Sequence, residues 1–225
     1  MITPAPKNTR EEHSACMGSL LWTGPRRDAG RFQNLKKNTM AITTLDTKTA
    51  LIVIDLQKGI VALPTAHPTD EVVKRASALA DAFRRHGLPV VLVNVAGGAP
   101  GRTEQPRRGD LPADWTQLVG ELNRQPQDRT LTKRSWGAFT NTDLQQHLEK
   151  LGVTQVVIAG VATSIGVEST ARQAYELGFN VTVAVDAMTD MSPDAHVNSI
   201  TRIFPRLGET GTSRQIIDLL EKRSV

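Results

Sequence analysis

Cysteine is almost missing from this chain: its 225 residues contain one, Cys16. An intrachain disulfide framework and a cysteine-based zinc site are therefore excluded. No stretch approaches the roughly 18 consecutive apolar residues of a membrane-spanning helix. The opening MITPAPKNTREEHSACMGSLLW lacks the apolar core of a secretory signal. The sequence thus predicts a cytoplasmic protein with no membrane partner. A basic excess on the folded part is missing too. The net charge of +4 resides in residues 1–40, which hold seven basic and three acidic side chains, while the remainder is balanced at 20 and 20. Nucleic-acid binding needs a basic stripe on the fold itself, so no nucleic-acid partner is expected. The GGAPG run at 97–101 has neither the lysine nor the following helix of a phosphate loop.

Hydrophobic residues make up 39% and charged residues 22%, ordinary for a globular chain long enough to bury a core unaided. Residues 1–40 show no sustained period and are punctuated by Pro4, Pro6, Gly18, Gly24, Pro25 and Gly30. They read as a disordered or non-native N-terminal extension, and residues 41–225 as a single domain. A basic interaction arm is the alternative for the extension. In that case deleting it abolishes partner binding.

From Thr49 the pattern becomes regular. TALIVIDL (49–56), PVVLVNV (89–95), QVVIAGV (155–161) and VTVAVDA (181–187) are short apolar runs, as in strands buried on both faces. Between them lie helical patterns at 70–86 (capped by Thr69), about 114–123, 143–152 and 163–177. Two more follow at about 193–203, opened by Pro193, and at 214–222, capped by Ser213. The segment 129–139 is open between strand and loop. Alternating strands and helices predict an α/β fold: a doubly wound, mainly parallel sheet with helices on both faces, Rossmann-like and three-layered. Ligands of such sheets sit beyond the carboxyl ends of the strands. That topology selects Asp55, the Gly/Pro/Arg-rich loop 96–112, the surroundings of Lys133 and the turn at 161–167.

Asp55 ends an apolar strand. It is either a hydrogen-bonded structural carboxylate or a general acid/base tuned by burial. Lys133 is by itself an ordinary surface lysine or its partner. In GVATSIGVESTARQAYELGF a strand runs through small residues into a helix, whose first N–H groups can hold an anion. Gly166 lies in that first turn. A helical glycine costs about 1 kcal/mol relative to alanine, which suggests room for a ligand.

Three motifs in order, LIVIDLQKGI (Asp55, Gln57), TKRSWGAF (Lys133) and GVATSIGVESTARQAYELGFNVTVAVDAMTDM, resemble the isochorismatase-like hydrolase superfamily, which also holds the cysteine hydrolases. The resemblance covers about 45–220. In the cysteine-dependent members it implies an Asp–Lys–Cys triad. Here Asp55 and Lys133 match, and Gly166 stands at the position of the missing cysteine. The run ATSIGVES resembles that branch with only the cysteine replaced. Cys16, in the extension read as disordered, is a poor substitute, and Ser164 does not occupy the matching position. True isochorismatases also carry glycine there, so the resemblance implies a cysteine-independent hydrolase of a small molecule. Asp55 protonates a vinyl ether, Lys133 holds Asp55, and pyruvate is released without a covalent intermediate. It further implies substrate contacts at Gln57, Val161, Ala162 and Thr163, a cis peptide at Val161–Ala162, and a homo-oligomer. Substrate carboxylates would call on Arg102 first among Arg102, Arg107, Arg108 and Arg134, and Trp136 would help set specificity. No cofactor and no metal are implied: His67, His86, His147 and His196 read as structural or solvated. The alternative is a catalytically degenerate homologue acting as a ligand-binding or assembly module.

Overall fold

The computed structural model describes residues 42–104 and 111–224. The readings made for residues 1–40, Cys16, Arg107 and Arg108 lie outside these. Strands β1 (Thr49–Ile54), β2 (Val90–Val95), β3 (Arg129–Lys133), β4 (Gln155–Val161), β5 (Asn180–Thr189) and β6 (Glu209–Gly211) form one parallel sheet in the order β3-β2-β1-β4-β5-β6. Helices α1 (Lys58–Val61), α2 (Thr69–Arg85), α3 (Leu144–Lys150), α4 (Glu168–Glu176), α5 (Pro193–Asn198), α6 (Phe204–Leu207) and α7 (Ser213–Glu221) complete it.

Side chains alternate along each strand, and both faces are apolar. Leu51 and Val53 of β1 meet α2 and α7 through Val72, Leu79, Phe83, Ile216 and Leu220. Ala50, Ile52 and Ile54 meet the other layer through Leu144, Leu148, Ala171, Ala174 and Phe204. All six residues of β1 are buried, which explains why that strand reads as an unbroken apolar run. The expected fold class is the one observed. Among the described residues no helix is long and apolar enough to cross a membrane.

The chain departs from expectation where side chains or neighbours compete with local preference. The helix expected at 114–123 is a set of turns with one 3₁₀ turn, Gly120–Leu122. The carbonyls of Trp115 and Gln117 are taken by the N–H groups of Gly59 and Lys58, so they are lost to a helix. The 129–139 segment is strand only to Lys133. The helix expected from 163 opens with a π-helical turn, Thr163–Val167. The one expected at 193–203 continues through a second π-turn, Ser199–Ile203, into α6. Pro205 removes an N–H there, and a wider turn accommodates the loss. The last helix is capped by Thr212 in a capping box with Gln215, one residue before the expected cap. The three-residue edge strand β6 carries no apolar run and was not expected.

Candidate active site

β1 leads to β2 and β3 on one side, and the chain then returns to place β4 on the other. The carboxyl ends of β1 and β4 therefore flank the topological switch point. Asp55 follows β1 directly, and the Ala162 turn follows β4.

Asp55 has φ 51°, a left-handed conformation that a non-glycine residue adopts only under constraint. Its N–H donates to the Val93 carbonyl and its carbonyl accepts from Gln57 N–H. The carboxyl is buried, at 5% exposure. Lys133, at the end of β3 and 2% exposed, donates from Nζ to Asp55 Oδ2 at 2.7 Å and to the Ser135 carbonyl at 3.1 Å. Asp55 Oδ1 is buried with no hydrogen-bond partner among the described residues. Burial pushes the Asp55 carboxyl up to about 6, against the downward pull of Lys133. The pair thus holds a carboxyl that exchanges its proton close to neutrality, with one oxygen tied to Lys133.

Gly166 is buried in the π-turn beside this pair. A Cβ placed on it would lie 3.3 Å from Asp55 Oδ2 and 2.9 Å from the Ile54 Cγ2 methyl. The structure therefore brings Asp55, Lys133 and Gly166 together. Val161 and Ala162 are buried at the end of β4, and the peptide bond between them is cis.

The remaining sequence candidates are placed differently. Gln57 is fully buried, donates to the Val95 and Trp115 carbonyls and accepts from Val95 N–H. Its amide is spent on backbone, so it fixes the β1–β2 loops in place of the substrate contact expected. Thr163 is also fully buried, and its hydroxyl bonds His196 Nδ1 at 2.8 Å. Trp136 is 64% exposed. Arg102 is exposed on the loop after β2. Arg134 donates to the Ala96 carbonyl at 3.2 Å, across the base of that loop. Among the described residues no three His, Cys, Asp or Glu side chains converge as a metal-holding group.

Sequence reasoning missed Asp190 and Thr170. Asp190, 2% exposed just past β5, accepts from Ser164 N–H and Oγ at 2.7 and 2.8 Å and so anchors the turn. Thr170, fully buried on α4, donates to the Gly166 carbonyl and accepts from Ala138 N–H, joining the turn to the Lys133 loop. Strand-end position was a usable signal for Asp190; a mid-helix threonine offered none.

The geometry sits in a chain with clear relatives. The family model described as the isochorismatase domain matches residues 49–215. The uncharacterized isochorismatase family protein YecD of Escherichia coli O157:H7 is 44% identical over 183 residues, covering 76% of this chain and 96% of that protein. YwoC of Bacillus subtilis (strain 168), of the same description, is 42% identical over 179 residues, covering 76% and 93%. Among solved structures, an isochorismatase family protein from Burkholderia thailandensis superposes with a TM-score of 0.77 at 42% identity, covering 80% of this chain and all of that one. On these matches the chain belongs to the isochorismatase family of hydrolases.

Proposed function

We propose that the protein hydrolyses a small vinyl ether of the isochorismate type, releasing pyruvate, by acid–base chemistry and without an acyl-enzyme. The observation that carries this reading is the buried Asp55 carboxyl, with Oδ2 held by Lys133 and Oδ1 without a partner among the described residues. Protonated Asp55 delivers its proton from Oδ1 to the terminal methylene carbon of the enolpyruvyl group. The ether-bearing carbon becomes oxocarbenium-like and is captured by water. That water returns a proton to the Asp55 carboxylate, and the hemiketal collapses to pyruvate and an alcohol. Lys133 keeps the carboxyl oriented and moderates its basicity between the two steps. A pKa of about 6 suits a group that must give and regain a proton in one cycle.

The packing around Gly166 weighs against a cysteine hydrolase that has merely lost its thiol. The Ile54 Cγ2 methyl lies 2.9 Å from where a Cβ on residue 166 would sit, so a side chain there requires Ile54 to shift. Arg102 and Trp136, exposed at the β2–β3 side, are the proposed contacts for a carboxylate and a ring of the substrate. Lactate-dehydrogenase-coupled detection of pyruvate from isochorismate tests the reading. Release is expected from the purified protein, with a loss of at least about 10²-fold in Asp55→Asn, the usual scale for a general acid. No release, or release indifferent to that substitution, overturns it.

A further inference from the structure

The turn after β4 is gripped from the β5 side by a set of groups outside the acid–base pair. His196 of α5, 7% exposed, bonds the fully buried Thr163 hydroxyl through Nδ1 at 2.8 Å. The His67 ring covers it, with centroids 4.6 Å apart and planes tilted by 52°. His67 is in turn pinned to the buried Thr189 hydroxyl through its backbone N–H at 3.2 Å and Nδ1 at 3.0 Å. Ala66 N–H donates to the Asp190 carbonyl, and the Asp190 carboxylate takes Ser164 N–H and Oγ. Two successive residues of the turn are thus held by two separate anchors. Burial, with a smaller contribution from neighbouring His67, keeps His196 below the usual imidazole range against the opposing pull of Asp190. His196 therefore meets Thr163 as a neutral ring.

We propose that His196, covered by His67, is a positioning residue of this site: its bond to Thr163 seats the Thr163–Val167 turn and thereby holds Gly166 over the Asp55 carboxyl. The turn lies against that carboxyl and helps keep water from it, since even a Cβ placed on Gly166 would come within 3.3 Å of Asp55 Oδ2 and 2.9 Å of the Ile54 Cγ2 methyl. If the seat is lost, the turn loosens and water enters. The burial that raises the carboxyl weakens while the Lys133 charge remains, so Asp55 becomes more acidic. The proposal rests on Asp55 being the acting acid, but its readout needs no substrate and fails separately from the pyruvate assay.

The test is titration of the Asp55 carboxyl by ¹³C NMR in the full-length protein. His196→Leu and Thr163→Val are each expected to lower the Asp55 midpoint by about one pH unit or more. The double variant should shift no further than either single one, because both remove the same bond. His196→Asn, which can present a polar atom near the Nδ1 position, should restore the midpoint. An unchanged midpoint in either folded single variant, additive shifts in the double, or failure of His196→Asn to rescue overturns the proposal. If His196→Leu does not fold, Thr163→Val, which alters one buried hydroxyl, decides alone.

Discussion

Asp55 is under two opposed influences, and the stronger one sets its chemistry. Burial raises its carboxyl and Lys133 lowers it, leaving about 6 against an ordinary 3.8. The acid must be protonated to act, so kcat/KM for the proposed hydrolysis should fall as pH rises through about 6. Lys133→Met removes the lowering influence alone. The falling limb should then move to higher pH by about a unit or more, while the rate at the plateau drops. Profiles of kcat/KM across pH 4–9 for both proteins check this; a limb that stays put excludes Asp55 as its source. At Gly166 the deciding effect is steric. A Cβ there meets Ile54 Cγ2 at 2.9 Å. Ile54 is fully buried and β-branched, so it has few rotamers to retreat into. Gly166→Ala is expected to cost about 1–3 kcal/mol, the usual range for overpacking. Adding Ile54→Ala, which removes the obstructing methyl, should make the pair of changes less costly than their sum. Urea unfolding of the two single variants and the double measures it.

At the scale of elements, what could be foreseen depended on length and burial. β1, β2, β4 and β5 were visible because each is a run buried on both faces. β6 and α1 are three and four residues long, too short to show a period. The false helix at 114–123 has a helical pattern, but its carbonyls are claimed by the β1–α1 junction. Gly160 shows a different blind spot. It sits inside the apolar run of β4 and has φ 120°, and a Cβ on it would fall 2.0 Å from the Ile54 carbonyl oxygen. Periodicity cannot signal this, because the demand comes from the backbone of a neighbouring strand. The β4–β5 register also shifts between Ile158 and Gly160. Gly160→Ala should therefore destabilise by at least about 3 kcal/mol, combining left-side φ strain with a backbone clash that no side-chain movement relieves. Chemical denaturation gives the value. A cost under about 1 kcal/mol would mean that the two strands can part without penalty.

Over the whole molecule, the sequence indicated a parallel, doubly wound sheet and the ends of its strands as the site. Asp55 and the 161–167 turn were accessible to that reasoning because topology alone singles them out. The strand order was not, since the same alternation permits several orders. Nor was the contact of His67 and His196 with the turn: Thr163 and His196 are 33 residues apart and only tertiary structure joins them. The same holds for the far edge of the sheet. Residues 42–45 run alongside β6, with Ile42 N–H donating to the Thr210 carbonyl and Thr43 bonding Glu209 through N–H and Oγ1. Ile42 packs so closely on Gly211 that a Cβ there would come within 2.7 Å of its Cγ2 methyl. Ile42 and Leu45 are buried at 8% and 6% exposure. At about 1.5–3 kcal/mol for each buried side chain, this strap contributes roughly 3–6 kcal/mol. It also covers an edge that would otherwise offer unpaired backbone groups to another chain. A protein beginning at residue 47 should melt about 6–24 °C below one beginning at residue 42, using about 2–4 °C per kcal/mol for a domain of this size. It should also aggregate sooner on heating. Calorimetry on the two lengths, with light scattering alongside, separates the contributions. Equal melting temperatures would show that the edge is held by the sheet itself, and the hydrogen bonds from Ile42 and Thr43 would then be incidental to stability.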